Sequence, residues 1–308
     1  MMSLLCHFVI SLRPPAVHCS MKRTKIALTT LAPLLALALP ACSPLGLVNA
    51  LVPENNHRAE AGIAYGPEAR HRLDVYRPPA GAVSKGTLVF FYGGSWKRGA
   101  RQGYRFVGEA FAARGYTTVI PDYRLYPEVR FPGFVEDAAR AVAWVRGNLD
   151  GGASRRLVLM GHSAGAQIAA LLALDPRYLA AQGLPAGAVD GWVGLAGPYV
   201  FEPLKYRGIR PIFEGEVPAE RARAINFARA DAPPSLLIHG LDDTTVQPRN
   251  SDELAARLKD LGAEARYLPL ERIGHIWILL ALASPFDGHA PVVESTLRFI
   301  EGLPDHGA

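Results

Sequence analysis

Short apolar runs alternate with amphipathic segments from about residue 71 to the end of the chain. The apolar runs are rich in Val, Ile, Leu, Phe and Tyr, which is typical of buried strands. They are His71–Arg77, Thr87–Tyr92, Tyr116–Ile120, Arg156–Met160, Gly191–Leu195, Ser235–His239 and Arg266–Leu270. Helical spacing is clearest in Val135–Gly147, Ala164–Leu174, Asp252–Leu261 and Val292–Glu301. This alternation predicts a mostly parallel, doubly wound α/β sheet with helices on both faces and chemistry at the carboxyl ends of the strands.

One stretch breaks the alternation. Residues 198–234 are rich in Pro, Arg and aromatic residues and follow neither the strand nor the helix period. We expect this segment to be a short insertion that lies over the active site. Its aromatic residues are suited to enclose a small acyl or aryl group: Tyr199, Phe201, Tyr206, Phe213 and Phe227.

Composition narrows the class of protein. The 308 residues are 49% hydrophobic and 20% charged, which excludes a disordered chain and allows a large core. The net charge of +5 comes mostly from Arg13, Lys22, Arg23 and Lys25, because residues 1–41 contain no acid. The rest of the chain is nearly neutral, so we expect no nucleic-acid partner. All three cysteines lie within the first 42 residues, which excludes a cysteine nucleophile or an internal disulfide after that point.

The N-terminal region has the pattern of an export signal. Met21–Lys25 is basic, and Ile26–Leu39 is apolar but too short to span a bilayer. The following Leu39–Cys42 (LPAC) resembles the lipobox of bacterial lipoproteins, which implies cleavage before Cys42 and diacylation of its sulfur. An ordinary signal peptide cleaved near Ala41 is the alternative. Because a complete signal begins at Met21, we expect translation to start there.

A G-x-S-x-G pattern, Gly161-His162-Ser163-Ala164-Gly165, stands between a predicted strand and a predicted helix. A sharp turn in this context strains the serine backbone and exposes the hydroxyl above the sheet, while the glycines let strand and helix approach. The amide of Ala164, at the helix start, can donate to a developing oxyanion. Ser163 is therefore the predicted nucleophile, with a glycine-lined packing turn as the alternative.

A serine nucleophile needs a base that is oriented by a carboxylate, and the loops after the last two predicted strands offer both. His275 follows the last strand, while Asp242 and Asp243 follow the strand before it. His239 ends a strand, where a packing role is expected, and His289 lies beyond the loop position. His275 is therefore the predicted base, but its position does not decide between the two aspartates.

The acid loop and one further loop resemble those of α/β-hydrolases. His239-Gly240-x-x-Asp243-x-x-Val246 is similar to the acid loop of that fold, which implies that Asp243 is the triad acid and Asp242 a turn residue. Phe91-Tyr92-Gly93-Gly94-Ser95-Trp96 resembles the H-G-G-G/A-W loop of an esterase and lipase group. That group includes kynurenine formamidases, bacterial carboxylesterases and plant prenylcysteine methylesterases, and the resemblance extends from about Tyr65 to Leu303.

The second loop implies an oxyanion hole. By the resemblance, the amides of Gly94 and Ser95 join that of Ala164. Tyr92 stands where the family has a histidine that braces this loop, a departure that leaves the bracing open rather than the catalysis. Trp96 and Trp277 flank the predicted site in sequence and are candidates for its walls.

The resemblance implies an α/β-hydrolase fold and a serine carboxylesterase that acts on a small-molecule ester through Ser163, His275 and Asp243. No metal or organic cofactor is expected. An arylformamidase is the alternative within enzymes, and a catalytically silent hydrolase fold that serves as an envelope binding module is the alternative outside them.

The chain divides into three predicted regions. Residues 1–41 are the signal segment, residues 42–60 a lipidated tether, and residues 61–308 the α/β-hydrolase domain. The predicted location is the bacterial cell envelope, on the periplasmic face, with membrane attachment through the lipid on Cys42.

Overall fold

An eight-stranded sheet forms the centre of the structure, a computed structural model that describes residues 44–52, 57–149 and 156–304. Its strands lie in the order β1-β2-β4-β3-β5-β6-β7-β8. In chain order they are β1 (Arg58–Ala64), β2 (Arg72–Arg77), β3 (Thr87–Phe91), β4 (Thr117–Pro121), β5 (Leu157–His162), β6 (Gly191–Leu195), β7 (Ser235–Gly240) and β8 (Ala265–Leu270). β2 pairs antiparallel with β1 and β4, and all other pairs are parallel. The predicted mostly parallel sheet is confirmed.

Helices cover the sheet on both faces. They are α1 (Pro44–Ala50), α2 (Arg105–Ala112), α3 (Gly133–Asn148), α4 (Ala164–Leu174), α5 (Pro176–Ala180), α6 (Arg210–Phe213), α7 (Arg249–Asp260), α8 (Trp277–Leu280) and α9 (Val292–Glu301). The crossovers from β3 to β4 and from β4 to β5 run in opposite directions along the sheet. Right-handed connections therefore place α2 on one face and α3, α4 and α7 on the other.

The point where the strand order reverses lies between β3 and β5. In doubly wound sheets, ligands bind at the carboxyl ends of the strands beside such a reversal. The topology thus brings together the loop after β3, which contains Gly94 and Ser95, and the turn after β5, which contains Ser163.

Element positions agree with the sequence predictions to within three residues, and β6, α4 and α9 have the predicted bounds. Strand β1 was not predicted, because RAEAGIA lies mostly exposed at the edge of the sheet and lacks a clear apolar alternation. Helix α2 was not predicted either; seven of its eight residues are buried, and Gly108 interrupts its helical pattern.

The segment before the sheet, which the sequence predicts to be a tether with at most one short helix, contains one short helix that packs on the body. The predicted tether, residues 42–60, contains helix α1 and the beginning of β1, whose Arg58 already pairs with Arg77. Val48 is the buried residue of α1, and Asn49 forms hydrogen bonds with α2 and the turn before it. The folded body therefore begins before residue 61, because these side chains find partners on it.

The predicted signal segment, residues 1–41, the expected start at Met21, and Cys42 all lie outside the described residues. Across the part of the chain that is described, no helix is both long and apolar enough to cross a bilayer.

Candidate active site

The turn after β5 holds Ser163 in an unusual backbone conformation. Its φ is 55° and its ψ is −121°, and its amide donates a hydrogen bond to the carbonyl of Leu195 at 2.9 Å. Glycine is required on both sides: a Cβ at Gly161 would lie 2.2 Å from the carbonyl oxygen of Gly165, and one at Gly165 would lie 2.0 Å from that of Phe91. The backbone thus fixes the hydroxyl above the edge of the sheet.

The structure brings Ser163, His275 and Asp243 into one chain of hydrogen bonds. His275 Nε2 lies 2.9 Å from Ser163 Oγ, and His275 Nδ1 lies 2.7 Å from Asp243 Oδ2. Because Asp243 can only accept, Nδ1 carries the proton and Nε2 is left to accept the hydrogen bond of the serine. This is the geometry that a general base needs.

Asp243 is surrounded by donors. Its side chain is fully buried, and Oδ1 accepts hydrogen bonds from the amides of Thr245 and Val246 at 2.9 and 2.8 Å. Burial alone raises the pKa of Asp243, but the hydrogen bonds from His239, His275 and Val246 outweigh it and hold the pKa well below its usual range. The carboxylate is therefore ionised at neutral pH.

Asp242, the neighbouring candidate, has a different environment. It is exposed, and its amide donates to the carbonyl of Ile273 at 3.1 Å, while its side chain does not reach the histidine chain. The spacing implied by the family resemblance therefore selected the aspartate that contacts His275.

Two further histidines, His239 and His162, contact the residues of this hydrogen-bonded triad. His239 is completely buried, and its Nε2 lies 3.2 Å from Asp243 Oδ2 and 2.9 Å from the carbonyl of Val246. Since both neighbours accept, Nε2 carries the proton, and Nδ1 accepts from the hydroxyl of Ser251 at 2.7 Å. His239 thus orients the carboxylate, in line with the packing role expected from its place at a strand end.

His162, inside the turn, contacts the histidine loop. Its Nε2 donates to the backbone carbonyl of His275 at 2.9 Å, and the two rings lie 4.8 Å apart. Burial, followed by the proximity of His275, lowers the pKa of His162 to about 3, so its ring is neutral at neutral pH. No local sequence pattern predicts this contact, because it joins residues more than one hundred positions apart.

The predicted oxyanion loop follows β3. Gly94, Ser95 and Trp96 have φ values of 125°, 54° and 57°, so three successive residues lie in the left-handed region. Within residues 57–149 and 156–304, no carbonyl accepts from the amides of Gly94, Ser95 or Ala164. Ser95 and Ala164 line the same cavity as Ser163. Their free amides can therefore serve a developing negative charge.

Tyr92 braces this loop by contacts of its own. Its hydroxyl donates to Asp122 Oδ1 at 2.8 Å and accepts from Arg70 at 2.9 Å, while Tyr123 donates to its carbonyl at 2.6 Å. Burial, helped by Asp122, raises the pKa of Tyr92 well above its ordinary value, so the hydroxyl keeps its proton. The substitution of Tyr92 for the family histidine left the bracing of this loop open, and these contacts show how Tyr92 holds it.

A cavity of about 380 Å³ opens beside Ser163. Its apolar lining comes from the oxyanion loop and the insertion, and includes Trp96, Phe201, Tyr206 and Ile209. Its polar lining comes from the loop after β7 and the start of α7, and includes Thr244, Thr245, Gln247, Arg249 and Asn250. The insertion therefore covers the site as predicted, although only two of its five aromatic residues reach the cavity.

The remaining aromatic residues of the insertion have structural roles. Tyr199 and Phe213 are buried in the core, and Phe227 packs under the guanidinium of Arg177, whose centre lies 5.2 Å from the ring centroid. Trp277 does not line the cavity; it stacks on His289 with ring centroids 5.9 Å apart. His289 likewise does not line the cavity.

Gln167 connects three parts of the site and was not predicted. It is fully buried in α4, accepts from Trp96 Nε1 at 3.2 Å and donates to the carbonyl of Ala222 at 2.8 Å. One side chain thereby links the nucleophile helix, the oxyanion loop and the insertion. In the described part of the chain, no three His, Cys, Asp or Glu side chains gather in a way that could hold a metal ion.

Comparison with protein families agrees with this geometry. The model of the prolyl oligopeptidase family matches residues 134–300, more than half of the chain. The chain belongs to the prolyl oligopeptidase family. A second family model, BD-FAE, matches residues 73–182.

Curated relatives are esterases. The chain is 32% identical over 243 residues to esterase LipC of Mycobacterium tuberculosis, covering 71% of this chain and 60% of LipC. It is 32% identical over 212 residues to a probable isoprenylcysteine alpha-carbonyl methylesterase of Arabidopsis thaliana, covering 61% of this chain and 50% of that protein. The chain thus spans half to about 60% of the length of these relatives. The resemblance to an α/β-hydrolase esterase group is confirmed.

Solved esterases share the fold of this prolyl oligopeptidase family member. A structure of esterase B from Lactobacillus rhamnosis has a TM-score of 0.70 at 18% identity and covers 84% of this chain and 91% of that one. An esterase from Pyrobaculum calidifontis has a TM-score of 0.68 at 23% identity, with 84% and 89% covered. The predicted α/β-hydrolase fold is confirmed.

Proposed function

We propose that the protein is a serine carboxylesterase in which Ser163 is the nucleophile, His275 the base and Asp243 the acid that orients it. The observation that carries this proposal is the hydrogen-bonded chain from Ser163 through His275 to Asp243, beside a cavity that the serine lines. The esterase relatives support the same class of reaction. A nucleophile, a base and an acid joined by hydrogen bonds argue against a catalytically silent binding module.

The geometry supports an acyl-enzyme mechanism. Ser163 Oγ attacks the ester carbonyl carbon while its proton moves to His275 Nε2, and the resulting imidazolium is stabilised by ionised Asp243. The carbonyl oxygen becomes an anion that the amides of Gly94, Ser95 and Ala164 receive. His275 then protonates the leaving alcohol. Water, deprotonated by the same imidazole, releases the acid from Ser163.

Cavity size supports small substrates. A volume of about 380 Å³ is near the lower end for small-molecule sites. The aromatic surface of Trp96 and Phe201, whose rings stack 5.7 Å apart, suits a short acyl or an aryl group. We therefore expect best turnover on short-chain esters such as aryl acetates and butyrates, with low rates on long-chain triglycerides and peptides.

We also propose that the chain is a lipoprotein of the bacterial envelope. The support is the basic, apolar and LPAC order of the segment that ends at Cys42. Two acyl chains suffice for stable attachment where one does not. Mass spectrometry of the processed N-terminus tests this proposal; an unmodified N-terminus on protein found wholly in the soluble fraction would contradict it.

A substrate panel tests the activity. kcat/KM is measured for aryl esters with acyl groups of increasing length, from acetate to palmitate, together with an aryl formamide and a peptide substrate, in parallel with Ser163→Ala. We expect a maximum at the short end that the variant lacks. A maximum at the long end would contradict the small-substrate proposal, and a formamide rate above every ester would favour an arylformamidase.

A further inference from the structure

Exposed apolar side chains concentrate at the active-site edge of the sheet. Eight large apolar residues are exposed among those the structure describes, and five of them lie in the segments that follow the carboxyl ends of β6, β7 and β8. We call these five the apolar rim: Leu204, Tyr206, Leu241, Ile276 and Trp277. Leu241 directly follows β7, Ile276 and Trp277 directly follow His275, and Tyr206 lines the cavity. A soluble monomer rarely leaves such a concentration unpartnered.

Helix α1 and the turn that follows it add two more exposed residues at the same edge. Leu47 and Leu51 are 69% and 51% exposed and lie four positions apart, while Val48 and Val52 beneath them are 7% exposed. Asn49 fixes the helix: its amide donates to the carbonyl of Gln102 at 2.8 Å, and its oxygen accepts from the amide of Phe106 at 3.1 Å.

The position of α1 follows from the topology. Phe106 lies in the first turn of α2, which follows the carboxyl end of β3. The carboxyl ends of β3, β5, β7 and β8 meet at one edge because these strands are parallel. α1 therefore contacts the body at the edge that also presents Ser163, His275 and the apolar rim.

The predicted lipid anchor has little slack. Only Ser43 separates Cys42 from α1, and two residues span at most about 7 Å. A lipid on Cys42 would therefore hold α1 close to the bilayer surface. If residues 43–60 formed an unstructured tether instead, the body could rotate freely relative to the bilayer.

We propose that the protein rests on a lipid bilayer with the active-site edge of its sheet toward the membrane, so that Leu47, Leu51 and the apolar rim enter the interface. This inference rests on the proposed acylation of Cys42. The five strand spacings from β4 to β8 span about 24 Å, which is the width of the sheet edge along which α1 and the rim are distributed. The cavity then opens toward the bilayer, and esters dissolved in lipid can reach it.

Fluorescence quenching by brominated lipids tests the orientation. Full-length acylated protein is reconstituted on vesicles of phosphatidylethanolamine and phosphatidylglycerol, with or without bromine on the acyl chains. Of the four tryptophans, Trp277 is 48% exposed, Trp144 is partly buried, and Trp96 and Trp192 are buried. The difference between wild type and Trp277→Phe isolates the emission of Trp277 from that of the other three. We expect that emission to lose most of its intensity on the brominated vesicles.

Val83 provides the matched control. It is 77% exposed and lies between β2 and β3, at the amino end of the parallel strands. In the Trp277→Phe background, Val83→Trp places a probe at the opposite edge, and we expect no quenching there. Neither residue belongs to the catalytic chain, so hydrolysis of a soluble aryl acetate reports that each variant is folded.

The outcomes separate three failures. Trp277 emission that stays unquenched on protein that sediments with the vesicles would overturn the orientation, and so would equal quenching at both edges. Unacylated protein left in the supernatant would overturn the anchor and this inference with it. Absence of aryl acetate hydrolysis in the wild type would contradict the proposed esterase without bearing on the orientation.

Discussion

The turn that presents Ser163 and the insertion that covers the cavity meet at one site but are held by different contacts. The turn is fixed by backbone: its amide bonds to β6 at 2.9 Å, and no side chain fits at Gly165. The insertion is held largely by side chains that reach it from other elements. Asn250 accepts a hydrogen bond from the amide of Val200. Three further side chains donate to carbonyls of the insertion: Lys97 to Gly208, Arg130 to Glu214 and Gln167 to Ala222.

This difference separates reactivity from selectivity. Backbone contacts inside the sheet cannot be exchanged without disturbing the fold, whereas side-chain contacts can change one at a time. Lys97 illustrates the second kind: its ammonium is engaged by the Gly208 carbonyl and lies 5.7 Å from the Tyr126 ring centroid. We therefore expect changes at the turn and its partners to remove rate, and changes in the insertion to alter the preferred acyl group.

The largest effect is expected from the nucleophile and base. Ser163→Ala and His275→Ala should each lower kcat by about 10⁶-fold, and the double variant should lose little more, because these residues act as a unit. Steady-state hydrolysis of a soluble aryl acetate measures the loss, and circular dichroism checks that the variants are folded. A folded Ser163→Ala variant whose kcat is within tenfold of wild type would contradict the role of the turn as the source of reactivity.

The next effect is at the acid. Asp243→Asn should lower kcat by up to about 10⁴-fold, because the amide can donate to His275 Nδ1 and favour the wrong tautomer. Asp242→Asn is the matched control, because Asp242 is exposed and takes no part in the hydrogen bonds that join Asp243, His275 and Ser163. The kcat of this variant should stay near wild type. A larger loss of kcat in Asp242→Asn than in Asp243→Asn would show that Asp242 is the triad acid.

A smaller effect concerns stability and pH. The pKa of His162 is about 3 in the folded protein and about 6.5 in the unfolded chain. Below pH 6.5 the unfolded chain therefore binds a proton at this residue that the folded protein does not bind. Stability therefore falls as the pH drops through this window. Urea unfolding at pH 7.5 and 5.0 should show His162→Gln losing about 2 kcal/mol less than wild type. Equal losses would show that His162 is not held neutral by burial.

The smallest effect is expected in the insertion. Ile209→Ala enlarges the apolar side of the cavity and should raise the ratio of hexanoate to acetate kcat/KM by about tenfold, with acetate kcat nearly unchanged. Leu204→Ala is the control, since Leu204 does not line the cavity. A large loss of acetate kcat in Ile209→Ala would show that the insertion also positions the catalytic chain.

The same division explains what the sequence could predict. The strand and helix periods and the G-x-S-x-G spacing are local patterns. They predicted the parallel sheet, which is confirmed, and they pointed to Ser163 and His275, which lie within hydrogen-bond distance of each other. Choosing Asp243 over Asp242 required the family resemblance, because both follow the same strand. The packing of α1 on the body was not predictable, because it depends on contacts of Asn49 with a helix far along the chain.

Side-chain links across the site were also beyond local patterns. His162 reaches the carbonyl of His275, and Gln167 bridges Trp96 and Ala222, yet each stands in a sequence that equally fits a simple packing role. Of the five aromatic residues expected around the cavity, only Phe201 and Tyr206 line it, because the irregular backbone of the insertion gives no period from which side-chain direction follows.

Covalent trapping on Ser163 tests the central claim most directly. Wild-type protein is treated with a fluorophosphonate, digested and mapped by mass spectrometry, alongside Ser163→Ala and His275→Ala. We expect one adduct, on the peptide containing Ser163, no adduct in Ser163→Ala, and much slower labelling in His275→Ala because the hydroxyl then lacks its base. An adduct on another residue, or labelling of Ser163→Ala at the wild-type rate, would contradict the account.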